Sequence, residues 1–244
     1  MGSIAKYFKK MSGKSKKKAD IFLPEGIKMS QYVHPLVDSH SQYNEDLIID
    51  ALLKCKEVGT YVDIGANDPS LLNNTMRFYK RGWSGINVEP DPRLYNKLIE
   101  QRPRDINLNI GIGPVPGKMK FYIMSADTLS SFNKDAALES GRIHGATLVS
   151  SQQVTVRPLM DIFDEYLVKR EIDFMSVDTE GFDLAVLRSN DWLRYRPLLL
   201  MVEINQGGLE IIAFLEQFNY MLIYCNDVNG ILIDMRRNVQ DILA

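Results

Sequence analysis

The chain has 244 residues, 45% apolar and 25% charged, a length and composition that suit one soluble α/β domain with a large core. Residues 1–18 hold seven lysines and no acid, so a formal net charge of −2 leaves the remainder with about nine more acids than bases, which argues against nucleic acid as substrate or partner. Cys55 and Cys225 sit in apolar-patterned runs without C-x-x-C spacing, which excludes a disulfide framework or a zinc site, and no apolar run of signal or membrane-spanning length is present.

Residues 1–19 are therefore expected to be a basic, disordered tail, and 20–244 a single domain. The expected location is the cytoplasm. The tail interleaves its lysines with Ile4, Tyr7 and Phe8, a composition able to rest on the inner face of an anionic membrane. Residues 20–40 hold Pro24, Gly26 and Pro35 and read as an irregular lead-in. From residue 41 a helix opens, capped by Ser41 or Asn44, with Leu47, Ile48, Ala51 and Leu52 as its apolar face.

A short apolar strand ends in Tyr61-Val62-Asp63-Ile64-Gly65-Ala66-Asn67-Asp68, and a helix to Arg81 is stopped by Gly82. The next strand, 85–88, ends at Glu89-Pro90, and Pro92 suits the first turn of a helix to Gln101. Residues 106–112 read as a strand, 111–117 as a Gly/Pro turn, and 118–124 as a hairpin partner. Residues 125–153 match no period. Roughly 29 structureless residues inside a compact domain point to a lid or substrate loop. A short strand at 154–156 and an amphipathic helix over 158–168 follow. The strand at 172–178 runs into the turn Thr179-Glu180-Gly181-Phe182-Asp183 and a helix to Leu193. Residues 197–204 repeat the design with Glu203 near the strand end, a helix runs to Phe218, and the chain closes in a hairpin turned at Asn229-Gly230.

Strand, glycine turn, helix and a second strand tipped by an acid form a nucleotide-binding βαβ unit. Gly65 lets a ligand approach the backbone, and Glu89 stands where an acid can accept both ribose hydroxyls. The turn lacks G-x-G-x-x-G, and Asp63 and Asp68 beside it would repel a pyrophosphate. This counts against an NAD(P)-dependent oxidoreductase. It favours S-adenosylmethionine, which has a ribose, an ammonium and a sulfonium but no phosphate. Ligands of such sheets bind beyond the carboxyl ends of the strands, so Asp178, Glu180 and Asp183 should face the same crevice as Asp63.

With these stretches the chain resembles the FkbM family of S-adenosylmethionine-dependent methyltransferases. The resemblance is carried by residues 61–68, by Arg81-Gly82-Trp83-Ser84-Gly85-Ile86-Asn87-Val88-Glu89-Pro90, and by residues 172–183, and extends over about 41–203. It implies a Rossmann-like class I methyltransferase fold, with a mostly parallel seven-stranded sheet and a C-terminal antiparallel hairpin. It also implies O-methylation of sugars, glycans such as capsule or lipopolysaccharide, or polyketide-like hydroxyls. Pro69 stands where the family pattern carries Gly.

In this reading Asp63, Gly65, Ala66 and Asn67 form the cofactor turn, and Glu89 with Pro90 holds the ribose. Thr75 and Asn67 polish the pocket or serve as helix caps, while Gln42 and Asp46 close over the cofactor tail. Asp178 borders both cofactor and acceptor. Methyl transfer to a hydroxyl needs a group to take the proton, and Asp178 and Glu180 are the candidates. With Asp183 they are alternatively the carboxylates of a divalent metal such as Mg2+, or simply order the turn. His144, within the expected lid, is a further candidate base.

Overall fold

The computed structural model describes residues 20–21, 39–54, 56–167 and 171–237. The basic tail, His34 and Cys55 lie outside these residues. In chain order the elements are β1 (Asp20–Ile21), α1 (Glu45–Leu52), β2 (Thr60–Ile64), α2 (Met76–Arg81), β3 (Ser84–Val88), α3 (Pro92–Gln101), β4 (Ile106–Leu108), β5 (Gly111–Ile112) and β6 (Gly117–Met124). Then come α4 (Lys134–His144), β7 (Leu148–Arg157), α5 (Leu159–Tyr166), β8 (Phe174–Val177), α6 (Asp183–Arg188), β9 (Leu199–Glu203), α7 (Gly208–Glu216), β10 (Tyr220–Cys225) and β11 (Asn229–Asp234).

The main sheet runs β1-β10-β11-β9-β8-β2-β3-β4. Neighbours from β9 to β4 pair in parallel, whereas β11 is antiparallel to both β9 and β10. This is the mostly parallel seven-stranded sheet with a C-terminal antiparallel hairpin that the pattern implies, widened by β1 at its edge. The apolar strands are continuous because both faces are covered. Val62 and Ile64 of β2 pack with Phe163 of α5 and Leu187 of α6, while Tyr61, on the other face, packs with Ile49 of α1 and Phe78 of α2. Each fully buried Leu, Ile or Phe in these layers contributes about 1.5–3 kcal/mol of transfer free energy.

A second sheet, β5-β7-β6, stands apart from the first. It corrects three expectations. Residues 106–112 are not one strand: β4 belongs to the main sheet and β5 pairs with β7. Asn109 sits at the switch, its side-chain amide donating to the carbonyls of Glu89 (2.8 Å) and Pro90 (3.1 Å). Residues 125–153 are not a structureless loop but a 3-10 turn (Asp127–Leu129), helix α4 and most of β7. The partner of β6 is β7, about thirty residues further on, not the strand before it.

Other differences are local. Residues 20–21 pair with Cys225 and Tyr224 instead of wandering. In α1 the acids Glu45, Asp46 and Asp50 are buried beside Ile49, Ala51 and Leu52, so its inward face is part charge. The N-cap position is Asn44, whose side chain makes no cap hydrogen bond, while the Ser41 hydroxyl, three residues earlier, accepts from the Asp46 N–H at 2.9 Å. Helix α6 stops at Arg188, short of Leu193, where the Trp192 indole donates to the Leu187 carbonyl at 2.8 Å. Asn229-Gly230 is not the hairpin turn, because both residues already pair with β9. The turn is made by Asn226, whose side-chain oxygen accepts from the N–H groups of Val228 (2.8 Å) and Asn229 (2.6 Å).

Candidate active site

The carboxyl ends of β2, β3, β8 and β9 open into one cavity of about 390 Å³, roofed by residues of α4 and the small sheet. The turns at these ends are fastened to one another. The N–H groups of Gly65 and Ala66 donate to the Val88 carbonyl at 3.0 and 3.1 Å, and the Asp178 N–H donates to the Ile64 carbonyl at 3.0 Å. Gly65 has φ +82°, and a Cβ built there would lie 1.9 Å from the Asp178 carbonyl oxygen. Only glycine fits, because of a neighbouring turn as much as any ligand.

Glu89 is buried with its carboxylate held in place by two backbone donors. The Asn67 N–H donates to Oε2 at 2.8 Å and the Asp91 N–H to Oε1 at 2.7 Å. Each oxygen keeps a lone pair for an incoming hydroxyl. Burial pushes this carboxyl up to about 8. Asp63 is held by the Thr75 hydroxyl at 2.9 Å, and its burial raises it to about 6. Asn73 braces the turn between them, donating to the carbonyls of Ala66 and Asp68 and accepting from Thr75. Asp68 turns outward, accepting from Ser70, Leu71 and Lys97.

Beside this turn stands a second acidic group. Asp178, Glu180 and Glu203 each bring a carboxylate oxygen to one point, all within 4.8 Å of one another. Two carboxylates at that separation repel by about 3.5 kcal/mol at an effective dielectric of ~20. Burial, then the neighbouring acids, hold all three well above the usual carboxylate range. Asp183, expected in this group, serves the turn instead. It accepts from the Thr179 N–H and hydroxyl at 2.9 and 3.0 Å and from the Gly181 N–H at 3.2 Å.

The structure thus brings Asp63, Gly65, Ala66, Asn67, Glu89 and Pro90 to one wall, with Gln42, Asp178, Glu180 and His144 on the same cavity. His144 is the exposed last residue of α4, not part of a mobile loop. Two expected residues do not line the cavity. Thr75 acts behind Asp63, and Asp46 accepts from Ser39, the His40 N–H and the Leu47 N–H, fixing the entry to α1. Sequence reasoning noted Glu203 at its strand end without joining it to Asp178 and Glu180. It missed Arg102 altogether. This buried guanidinium donates to Thr75, Tyr61, the Pro69 carbonyl and Asp105, and so supports the Asp63 turn from beneath. Nothing about an Arg at the end of an amphipathic helix signals that it points inward.

The model of the methyltransferase FkbM domain matches residues 63–222, from the end of β2 into β10. The chain belongs to the FkbM methyltransferase family. No curated protein matches it. Among solved structures, one titled METTL16 MTase domain is similar at 13% identity, over 81% of this chain and 68% of that one, with a TM-score of 0.45. In this FkbM methyltransferase domain the matched stretch contains both acidic walls of the cavity. Gln42, across the mouth, lies outside it.

Proposed function

We propose that the protein uses S-adenosylmethionine to methylate a hydroxyl of a sugar, presented as a nucleotide-linked sugar or as part of a surface glycan. The observation that carries this reading is Glu89, oriented by the Asn67 and Asp91 amides so that one lone pair on each oxygen is left for the ribose hydroxyls. Asp63, at the tip of the adjacent strand, suits the ammonium of the methionine part, and Pro90, Leu94 and Ile110 offer an apolar shelf for the adenine. Among the described residues no G-x-G-x-x-G cradle for a pyrophosphate is present. The bound cofactor supplies an electrophilic methyl group.

The other end of the cavity suits a polyhydroxylated acceptor. Phe132 packs tilted against Phe121 and Phe182, with centroids 4.9 and 5.7 Å apart, and gives an apolar wall for the C–H face of a sugar ring. Asp178, Glu180 and Glu203 accept from sugar hydroxyls opposite it. In the transfer, the acceptor oxygen bonds to the methyl carbon as the carbon–sulfur bond breaks. The hydroxyl proton passes to a free oxygen of Asp178 or Glu180. Roofing by α4 and the small sheet limits water in the reacting zone.

The test has two stages. S-adenosylhomocysteine should raise the melting temperature and NAD should not. A panel of nucleotide sugars is then incubated with S-adenosylmethionine, and a product one methyl heavier identifies the acceptor. Stabilisation by NAD alone would overturn the cofactor assignment. Methylation confined to non-sugar acceptors would overturn the substrate class.

A further inference from the structure

The three acids beside the Asp63 turn arrive from different places. Asp178 follows β8, Glu180 sits two residues on at φ 53°, and Glu203 is the last residue of β9. Each offers one oxygen to a common centre, within 4.8 Å of the others. Glu203 is 3% exposed. Its Oε1 accepts from the Asn205 side chain at 2.6 Å, but its Oε2 is buried and has no hydrogen-bond partner. A buried carboxylate oxygen without a donor is rare and costly, and it points to a missing group.

Asp183, a few residues away, shows what a carboxylate with a purely structural task looks like here: it accepts from three turn donors. Among the described residues the three-acid centre has one such donor, the Asn205 side chain on Glu203. A lysine or arginine is the usual neutralising partner of buried acids, and none lines this cavity among the described residues. A hard cation satisfies both observations at once, since oxygen ligands at this spacing and charge are what such ions select.

We propose that Asp178, Glu180 and Glu203 bind one divalent cation of the Mg2+/Mn2+ class, with water or an acceptor hydroxyl completing its coordination. Asn205 orients Glu203 and is a positioning residue. Each acid gives the cation one oxygen and retains a second. The cation's effect on catalysis, polarising the acceptor hydroxyl, rests on the methyl-transfer reading above. Its binding does not.

The test uses the full-length protein, stripped with chelator and titrated with Mn2+ by calorimetry and electron spin resonance. One Mn2+ per chain is expected, displaceable by Mg2+. Glu203→Gln and Glu180→Gln should each weaken it about tenfold or more. At equal concentration Mn2+ should raise the melting temperature of the parent more than that of Glu203→Gln, while S-adenosylhomocysteine still stabilises both variants. Glu139→Gln, on an exposed ion pair with Arg142, should bind Mn2+ like the parent. Absence of Mn2+ binding, or equal binding by parent and variants, overturns the cation site. Retained Mn2+ binding with no response to S-adenosylhomocysteine overturns the cofactor reading and leaves the cation site standing.

Discussion

The Asn67 N–H and the Glu89 carboxylate meet at 2.8 Å, joining the turn after β2 to the tip of β3. The acid is therefore aimed before any ligand arrives. Glu89→Gln places an amide where two backbone N–H groups require acceptors, and leaves one of them unpaired. The affinity for S-adenosylhomocysteine should fall about tenfold or more by calorimetry. Unchanged affinity would remove the central support for the cofactor assignment.

Binding should also respond to pH. Glu89 is protonated below about 8 in the free protein, where burial raises it. Two ribose hydroxyls need the ionised form, so affinity should tighten as pH rises toward about 8, with proton uptake by buffer visible at neutral pH. The same shift has an opposite sign for stability of the free protein. An acid raised on folding binds its proton more tightly in the native state. Its contribution is therefore fully present below the ordinary value near 4.5 and lost as pH climbs through about 8. Chemical denaturation across this range checks the direction, and Glu89→Gln should flatten it.

Arg102 carries a stability prediction. It is fully buried against Asp105 (3.1 Å), its Nη2 donates to both Thr75 and Tyr61, and its Nη1 to the Pro69 carbonyl. Arg102→Met keeps much of the bulk but strands a buried carboxylate, at a cost of about 3–5 kcal/mol in urea unfolding. Thr75→Val, which removes only hydroxyl bonds, should cost about 1–3 kcal/mol. If Arg102→Met proved the milder of the two, the guanidinium would not be the keystone of that turn.

Gly65→Ala should be worse than its size suggests. The residue has φ +82°, and the added methyl meets the Asp178 carbonyl at 1.9 Å. Both backbone strain and collision act, so cofactor affinity and thermal stability should fall together. Gly145→Ala, also at positive φ but with open space around its Cβ, isolates the strain alone and should leave cofactor affinity intact.

The βα units were legible because their signals are local: apolar runs of strand length, a glycine that must sit at positive φ, and acids at strand ends. The small sheet was not. Helix α4 buries Ala136, Ala137, Ser140 and Gly141, a helical period written in small residues that carry little hydrophobic contrast. Its ends were readable in principle, with Asn133 accepting from the Asp135 and Ala136 N–H groups and Gly145 closing the helix. The Asn229-Gly230 signal failed because a local turn preference lost to pairing with β9, where Asn229 also donates to buried Glu45 at 2.8 Å. Convergence of Glu203 with Glu180 depends on strand order, which spacing along the chain does not reveal.

The β5-β7-β6 layer hydrogen-bonds mainly within itself and touches the cofactor half through few side chains. Ser131 donates to the Thr179 and Glu180 carbonyls, Asn133 to Gly181 and Gln152 to Pro90, while Asp127 pairs with Arg93, Ser140 accepts from Gln206 and Phe132 packs on Phe182. Such a layer is separable in the way a tool bit is separable from its handle. Grafts of residues 114–156 between relatives, made with these anchors preserved, offer a route to new acceptors without rebuilding the half proposed to bind the methyl donor.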